Sequence, residues 1–153
     1  MHVKIQYSQL ANAINFLENI PLKGLQSINR TRFKNLLQER LKQVAVEEVE
    51  LIKEHTGVDE KGDAKRTKEG HFDIKDVPAF KKVQEEYFAQ HYIVDGGDSL
   101  VMLQSFKKSL EDYDGEIAGK EATAYEHLYT AFEEVAENKA EKGEGEHDGN
   151  IEN

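Results

Sequence analysis

No cysteine occurs among the 153 residues. That excludes a disulfide framework, a thiolate nucleophile and a zinc-thiolate site, so any chemistry would fall to carboxylates, histidines, hydroxyls or lysines. No long apolar run is present either. Met1 to Tyr7 alternates polar and apolar types, a pattern expected of neither a secretory signal nor a membrane span. Positive charge is outnumbered: 20 Lys and Arg against 30 Asp and Glu give a formal net charge of -10. Adhesion to nucleic-acid backbone or to anionic membrane depends on clustered Lys and Arg, so neither nucleic acid nor membrane is an expected partner. A basic protein surface is the better match, and the composition points to a protein of the cytoplasm.

What is present is a helical pattern. At 38% hydrophobic content the chain is long enough for one domain with a core. Val3, Ile5 and Tyr7 alternate as a short strand, and Ser8 stands where an N-cap would open a helix bearing Leu10, Ala13, Ile14 and Leu17, with Pro21 and Gly24 ending it. Ser27 is the expected cap of the longest element, in which Phe33, Leu36, Leu37, Leu41, Val44, Leu51 and Ile52 recur at helical spacing up to Gly57. Two late stripes, Leu103, Phe106, Leu110, Tyr113 and Tyr125, Leu128, Phe132, Val135, flank a turn marked by Gly115 and Gly119. They predict an αα-hairpin with a buried seam. Asp76 before Val77 and Pro78 predicts a helix start, followed by Phe80, Val83, Tyr87, Phe88 and His91. Tyr92 to Val94 reads as a strand available to the N-terminal strand or to a hairpin, and Asp98 or Ser99 as the cap of the next helix. The expected fold is mainly α: about five helices, a C-terminal αα-hairpin and a minor β component of N-terminal strand plus β-hairpin. Residues 1–136 form the expected single domain, with a β-hairpin excursion at 58–74. Residues 137–153, poor in apolar side chains and rich in Glu and Gly, read as a flexible acidic tail.

Two charged stretches stand out. Within the excursion, Lys61, Lys65, Arg66 and Lys68 make residues 61–68 locally basic, beside a turn at Glu60 to Asp63. The second half of the long helix is acidic, with Glu47, Glu48, Glu50 and Glu54, while its first turns hold Arg30, Arg32 and Lys34; both trends oppose the helix dipole. Such residues are either solvated surface or a surface that a protein partner reads. No folding role for either run is evident in the pattern, so these eight residues of excursion and acidic half are the candidate partner-binding residues.

The remaining constellations point away from chemistry. An EF-hand loop fails at Asp59, Lys61, Asp63, where lysine occupies a position that needs an oxygen ligand. Gly96, Gly97 and Asp98 precede a helix but lack the lysine of a P-loop and the spaced glycines of a dinucleotide site. The six histidines make no HExxH; His91 and His127, on helical segments, read as structural imidazoles. Glu111, Asp112, Asp114 and Glu116 have no apolar pocket in view to separate their pKa values. The expectation is therefore a non-enzyme without catalytic residues, cofactor or metal.

The segments RTRFKNLLQERLKQV, TGVDEKGDAKR, FDIKDVPAFKKVQEEYF and DGGDSLVMLQSFKKSLEDYDGEIAGKEATAYEHLY, in that order, give a chain that resembles a family of small, uncharacterised proteins of tailed phages and prophages of Gram-positive bacteria. The resemblance covers Ile5 to Phe132. It implies a phage context, expression in the host bacterial cytoplasm or association with the virion, and a small accessory role; the motif-poor helical sequence adds the expectation of an assembly-associated protein that acts by protein–protein binding, with homo-oligomerisation through the long helix or the C-terminal αα-hairpin. A second reading, from the charge alone, is an acidic inhibitor that presents carboxylates in place of phosphates to a host nucleic-acid enzyme or defence protein. The two differ in what they require: carboxylates in a row on one face for the inhibitor, an exposed apolar patch for the assembly protein.

Overall fold

The computed structural model describes residues 1–145, and side chains for residues 1–134. In chain order the elements are β1 (His2–Gln6), α1 (Leu10–Asn19), α2 (Gly24–Thr56), α3 (Val77–Phe88), β2 (His91–Asp95), α4 (Leu100–Asp112) and α5 (Gly119–Gly145). The protein is mainly helical with one two-stranded antiparallel sheet. β2 pairs with β1, setting Val3 against Val94 and Ile5 against Tyr92. Of the two pairings open to Tyr92–Val94, the N-terminal strand is the one formed. A two-stranded ribbon is marginal by itself; here Val3, Ile5 and Val94 are buried in the common core, where α5 packs on β1.

The core lies where α1, α2, α4 and α5 meet. Phe33 of α2, Phe106 of α4 and Phe132 of α5 are each almost fully buried, with ring centroids 5.2, 5.7 and 5.9 Å apart. Those separations suit tilted and edge-on contacts between aromatic quadrupoles. Leu103, Leu110 and Leu128 are also buried, so the expected αα-hairpin has its seam. Tyr125 donates to the Leu110 carbonyl at 2.7 Å, holding α5 to the end of α4. The connection leaves no room above Gly115, where a Cβ would stand 2.5 Å from the Tyr113 hydroxyl oxygen. Val135, the last member of the second stripe, lies beyond the residues whose side chains are described.

Several helix ends differ from their sequence signals, because backbone geometry displaces the side-chain caps. α1 stops at Asn19 with Ile20 extended, as steric conflict ahead of Pro21 demands, and Gly24 opens α2 rather than closing α1. Ser8 sits inside a 3-10 turn over Tyr7–Gln9, and Ser27 lies within α2, accepting from Arg30 at 3.1 Å. Ser99 occupies the N-cap of α4 with no side-chain cap bond, since a 3-10 turn over Gly97–Ser99 leads into the helix. α4 ends at Asp112, ahead of Gly115. Asp76 does cap α3, accepting from the Ala79 amide at 3.1 Å. α3 stops at Phe88, so His91 belongs to β2 and is exposed, rather than a structural imidazole on a helix. The expected boundary at residue 136 falls within α5, and the remainder of the expected tail, 146–153, lies outside the described residues.

Candidate protein-binding surface

α2 ends at Thr56, and Gly57, with φ 76°, turns the chain away from the helix axis while its amide still donates to the Lys53 carbonyl at 2.8 Å. The excursion that follows is two successive small turns rather than one continuous hairpin. A single bridge, Val58 with Ala64, closes the first, and another, Arg66 with Phe72, closes the second. In the first turn the Asp59 carboxylate accepts from the amides of Lys61 at 2.9 Å and Asp63 at 3.0 Å. That Asx geometry commits Asp59 to the backbone and explains the turn expected at 60–63. In the second, Thr67 donates to His71 at 2.7 Å, and Arg66 donates to the Gly70 carbonyl at 2.8 Å while its guanidinium lies 4.1 Å from the Phe72 ring centroid. The base is tied at both sides: Lys65 donates to Gly57, Asp73 to Lys65, and Lys75 to His55 at 2.9 Å. The His55 ring stacks edge-on against Phe80 of α3, with centroids 5.2 Å apart. Ala64 is the one buried side chain between residues 58 and 73.

The eight candidate residues therefore fall into two groups. Lys61, Lys65 and Lys68 are exposed on the excursion and form no ion pair among the described residues. A broad open cleft on this element is lined by Val58, Asp59, Lys61, Lys65 and Asp73. Glu48 is half-buried and Glu54 exposed on α2. Arg66 and Glu47, by contrast, work for the fold, and Glu50 pairs with Lys53 at 3.5 Å. Glu47 accepts from the Tyr87 hydroxyl at 2.6 Å and so joins the acidic half of α2 to α3. Burial, then the hydrogen bond and charge of Glu47, push the Tyr87 phenol well above its ordinary pKa.

The basic start of α2 is likewise occupied. Arg30 donates to the carbonyls of Leu17 and Ile20, closing the C-terminus of α1, and Lys34 lies 3.6 Å from Glu18. Contacts with α1 thus offset the unfavourable dipole placement at these two positions. Neither this clamp nor the Glu47–Tyr87 bond is signalled by spacing along the chain, because each joins residues on different helices.

One surface feature lies outside the apolar series read from the sequence. Leu25, Ile28, Val46 and Val49 are all exposed, on the side of α2 away from Phe33, Leu37 and Val44. The signal that finds them is a spacing of three residues within each pair and of eighteen, five helical turns, between Ile28 and Val46.

Elsewhere the polar clusters are simple surface. His2 lies 3.1 Å from Asp95 and His127 3.7 Å from Glu126, all at least partly exposed. Glu111 pairs with Lys107 at 3.8 Å on the exposed end of α4. Among the described residues no group of three or more His, Asp and Glu side chains is placed to hold a metal ion, and no helix is long and apolar enough to cross a membrane. Comparison of the chain with known protein families, curated proteins and solved structures finds no match.

Proposed function

We propose that this chain is a non-enzymatic, phage-type accessory or assembly-associated protein that acts by protein–protein binding and works in the host bacterial cytoplasm or with the virion. One observation carries the reading: the segment from Gly57 to Asp76 is held by a dense set of local hydrogen bonds yet buries almost no side chain. Ordering a residue's backbone costs about 1–2 kcal/mol, and an element that returns so little to the core is explained by what it presents. It presents Lys61, Lys65 and Lys68 beside the exposed apolar Val58 and Phe72. Exposed cations interspersed with exposed apolar side chains suit an acidic protein surface.

The alternative, a phosphate-mimicking inhibitor, draws on Glu47, Glu50 and Glu54, which share one side of α2 at helical spacing. Glu47 is committed to Tyr87 and Glu50 to Lys53, which leaves one carboxylate of the row unengaged, so this reading stands second. The test is affinity capture from phage-infected Gram-positive cells, comparing the wild-type chain with Lys61→Glu/Lys65→Glu/Lys68→Glu by quantitative mass spectrometry. A discrete protein should be retained by the wild type and lost with the charge reversal. Equal retention by both, or loss of a biological activity on substituting His91 or His127 in a folded chain, would overturn it.

A further inference from the structure

α2 carries apolar side chains on the side that faces no other part of the protein among the described residues. Leu25 is 76% exposed, Ile28 47%, Val46 65% and Val49 45%. With about 100° per residue, Ile28 and Val46 point the same way, five turns apart, and Leu25 and Val49 flank that direction by about 60° on either side. Between them on the same face lie Arg32, Asn35, Glu39 and Lys42, all exposed. These eight positions alternate spacings of three and four residues, the pattern of a helix–helix seam. The face therefore has two apolar ends, about 27 Å apart, and a polar middle.

That arrangement is symmetric about residue 37. Residues 25 and 49, 28 and 46, 32 and 42, and 35 and 39 are equidistant from it. From this we infer that the outer face of α2 is a dimerisation surface for a second copy of the same chain, running antiparallel about a two-fold axis at residue 37. In that register Leu25 meets Val49 of the other copy and Ile28 meets Val46, so both apolar pairs are covered at once. A two-fold interface demands this kind of self-complementary patch. The middle is compatible. Asn35 faces Glu39 of the other copy and can donate to it, while Arg32, which faces Lys42, has the same Glu39 within one turn to offset the like charges. A parallel, in-register pairing would instead set Arg32, Glu39 and Lys42 each against its own duplicate, three like-charge layers that disfavour it.

The inference is independent of what the excursion binds. It is tested on the full chain, whose lack of cysteine makes single thiols unambiguous. Sedimentation velocity should give twice the 17.5 kDa chain mass at micromolar concentration, and Ile28→Asp/Val46→Asp should return the chain to monomer with helical content and melting temperature preserved. Under oxidation, Ile28→Cys and Val46→Cys chains should form a disulfide-linked dimer when mixed, and little when oxidised alone, since residues 28 of the two copies would be about 27 Å apart. Three results would overturn it: a monomer at every concentration, a dimer that survives the double Asp variant, or efficient self-cross-linking of Ile28→Cys. If the Asp variant lost its fold, the cross-linking pair would still decide the orientation.

Discussion

The helical body and the excursion after α2 are both ordered, but by different forces. In the body, Phe33, Phe106 and Phe132 exclude water from one another, and no polar side-chain atom is left buried and unpaired among the described residues. Between residues 58 and 73 order comes from Asp59, Arg66 and main-chain amides closing two turns around a single buried Ala64. Apolar burial scales with the area removed from water, whereas each local hydrogen bond exchanges a bond to solvent for one within the chain. The body is thus where stability resides. The excursion's shape is specified without contributing much to it.

The sharpest way to break that contrast is in the body. Phe132→Ala should cost about 3–5 kcal/mol in chemical denaturation, the range for removing a buried aromatic ring and leaving a cavity. A change near zero would mean the three-ring contact does not hold the helices together.

Tyr87 sits where the body meets the acidic half of α2, and its loss should cost less. Tyr87→Phe is expected to destabilise by about 1–3 kcal/mol near neutral pH, because Glu47 loses its donor while remaining half-buried. The pH dependence has a definite sign. The folded phenol has a raised pKa, so above the ordinary tyrosine value of about 10 the unfolded chain releases its proton first and unfolding gains free energy as pH rises. Stability owed to this group is complete below that pH and declines above it, and the Phe variant should show a shallower alkaline decline. Matching declines in both proteins would remove Tyr87 from the account.

Asp76→Ala tests the return from excursion to body. Loss of the cap on α3 should cost about 1 kcal/mol, with amide exchange accelerating at Ala79 before it does in α4. Uniform acceleration would mean that excursion and body unfold as one unit. The smallest effect belongs to the excursion's lysines: Lys61→Glu/Lys65→Glu/Lys68→Glu should move stability by no more than about 0.5 kcal/mol. A larger loss, measured by thermal melts at low and high salt, would show that these cations serve the fold and would weaken the binding proposal.

Much of the fold was legible because helices are specified locally. Periodicity located α2 and the two stripes of α4 and α5, and the sequence Asp76-Val77-Pro78 marked the start of α3 through a cap that acts within one turn. The candidate surface was legible only as charge. That Lys61, Lys65 and Lys68 stand on a braced element could not be read along the chain, since Lys75 reaching His55 and Asp73 reaching Lys65 are contacts across a turn.

By itself the amino-acid sequence determined the mainly helical class, the buried side of each helix and the turn at Glu60 to Asp63. Each depends on residues a few positions apart, where backbone geometry alone decides who meets whom. Only the tertiary structure decided that β2 pairs with β1, that Arg30 closes α1 and that Glu47 belongs to Tyr87. It alone also left Leu25, Ile28, Val46 and Val49 uncovered. Those outcomes depend on how whole helices pack, and a side chain's alternatives of burial, pairing or exposure are settled only when every neighbouring element has taken its place.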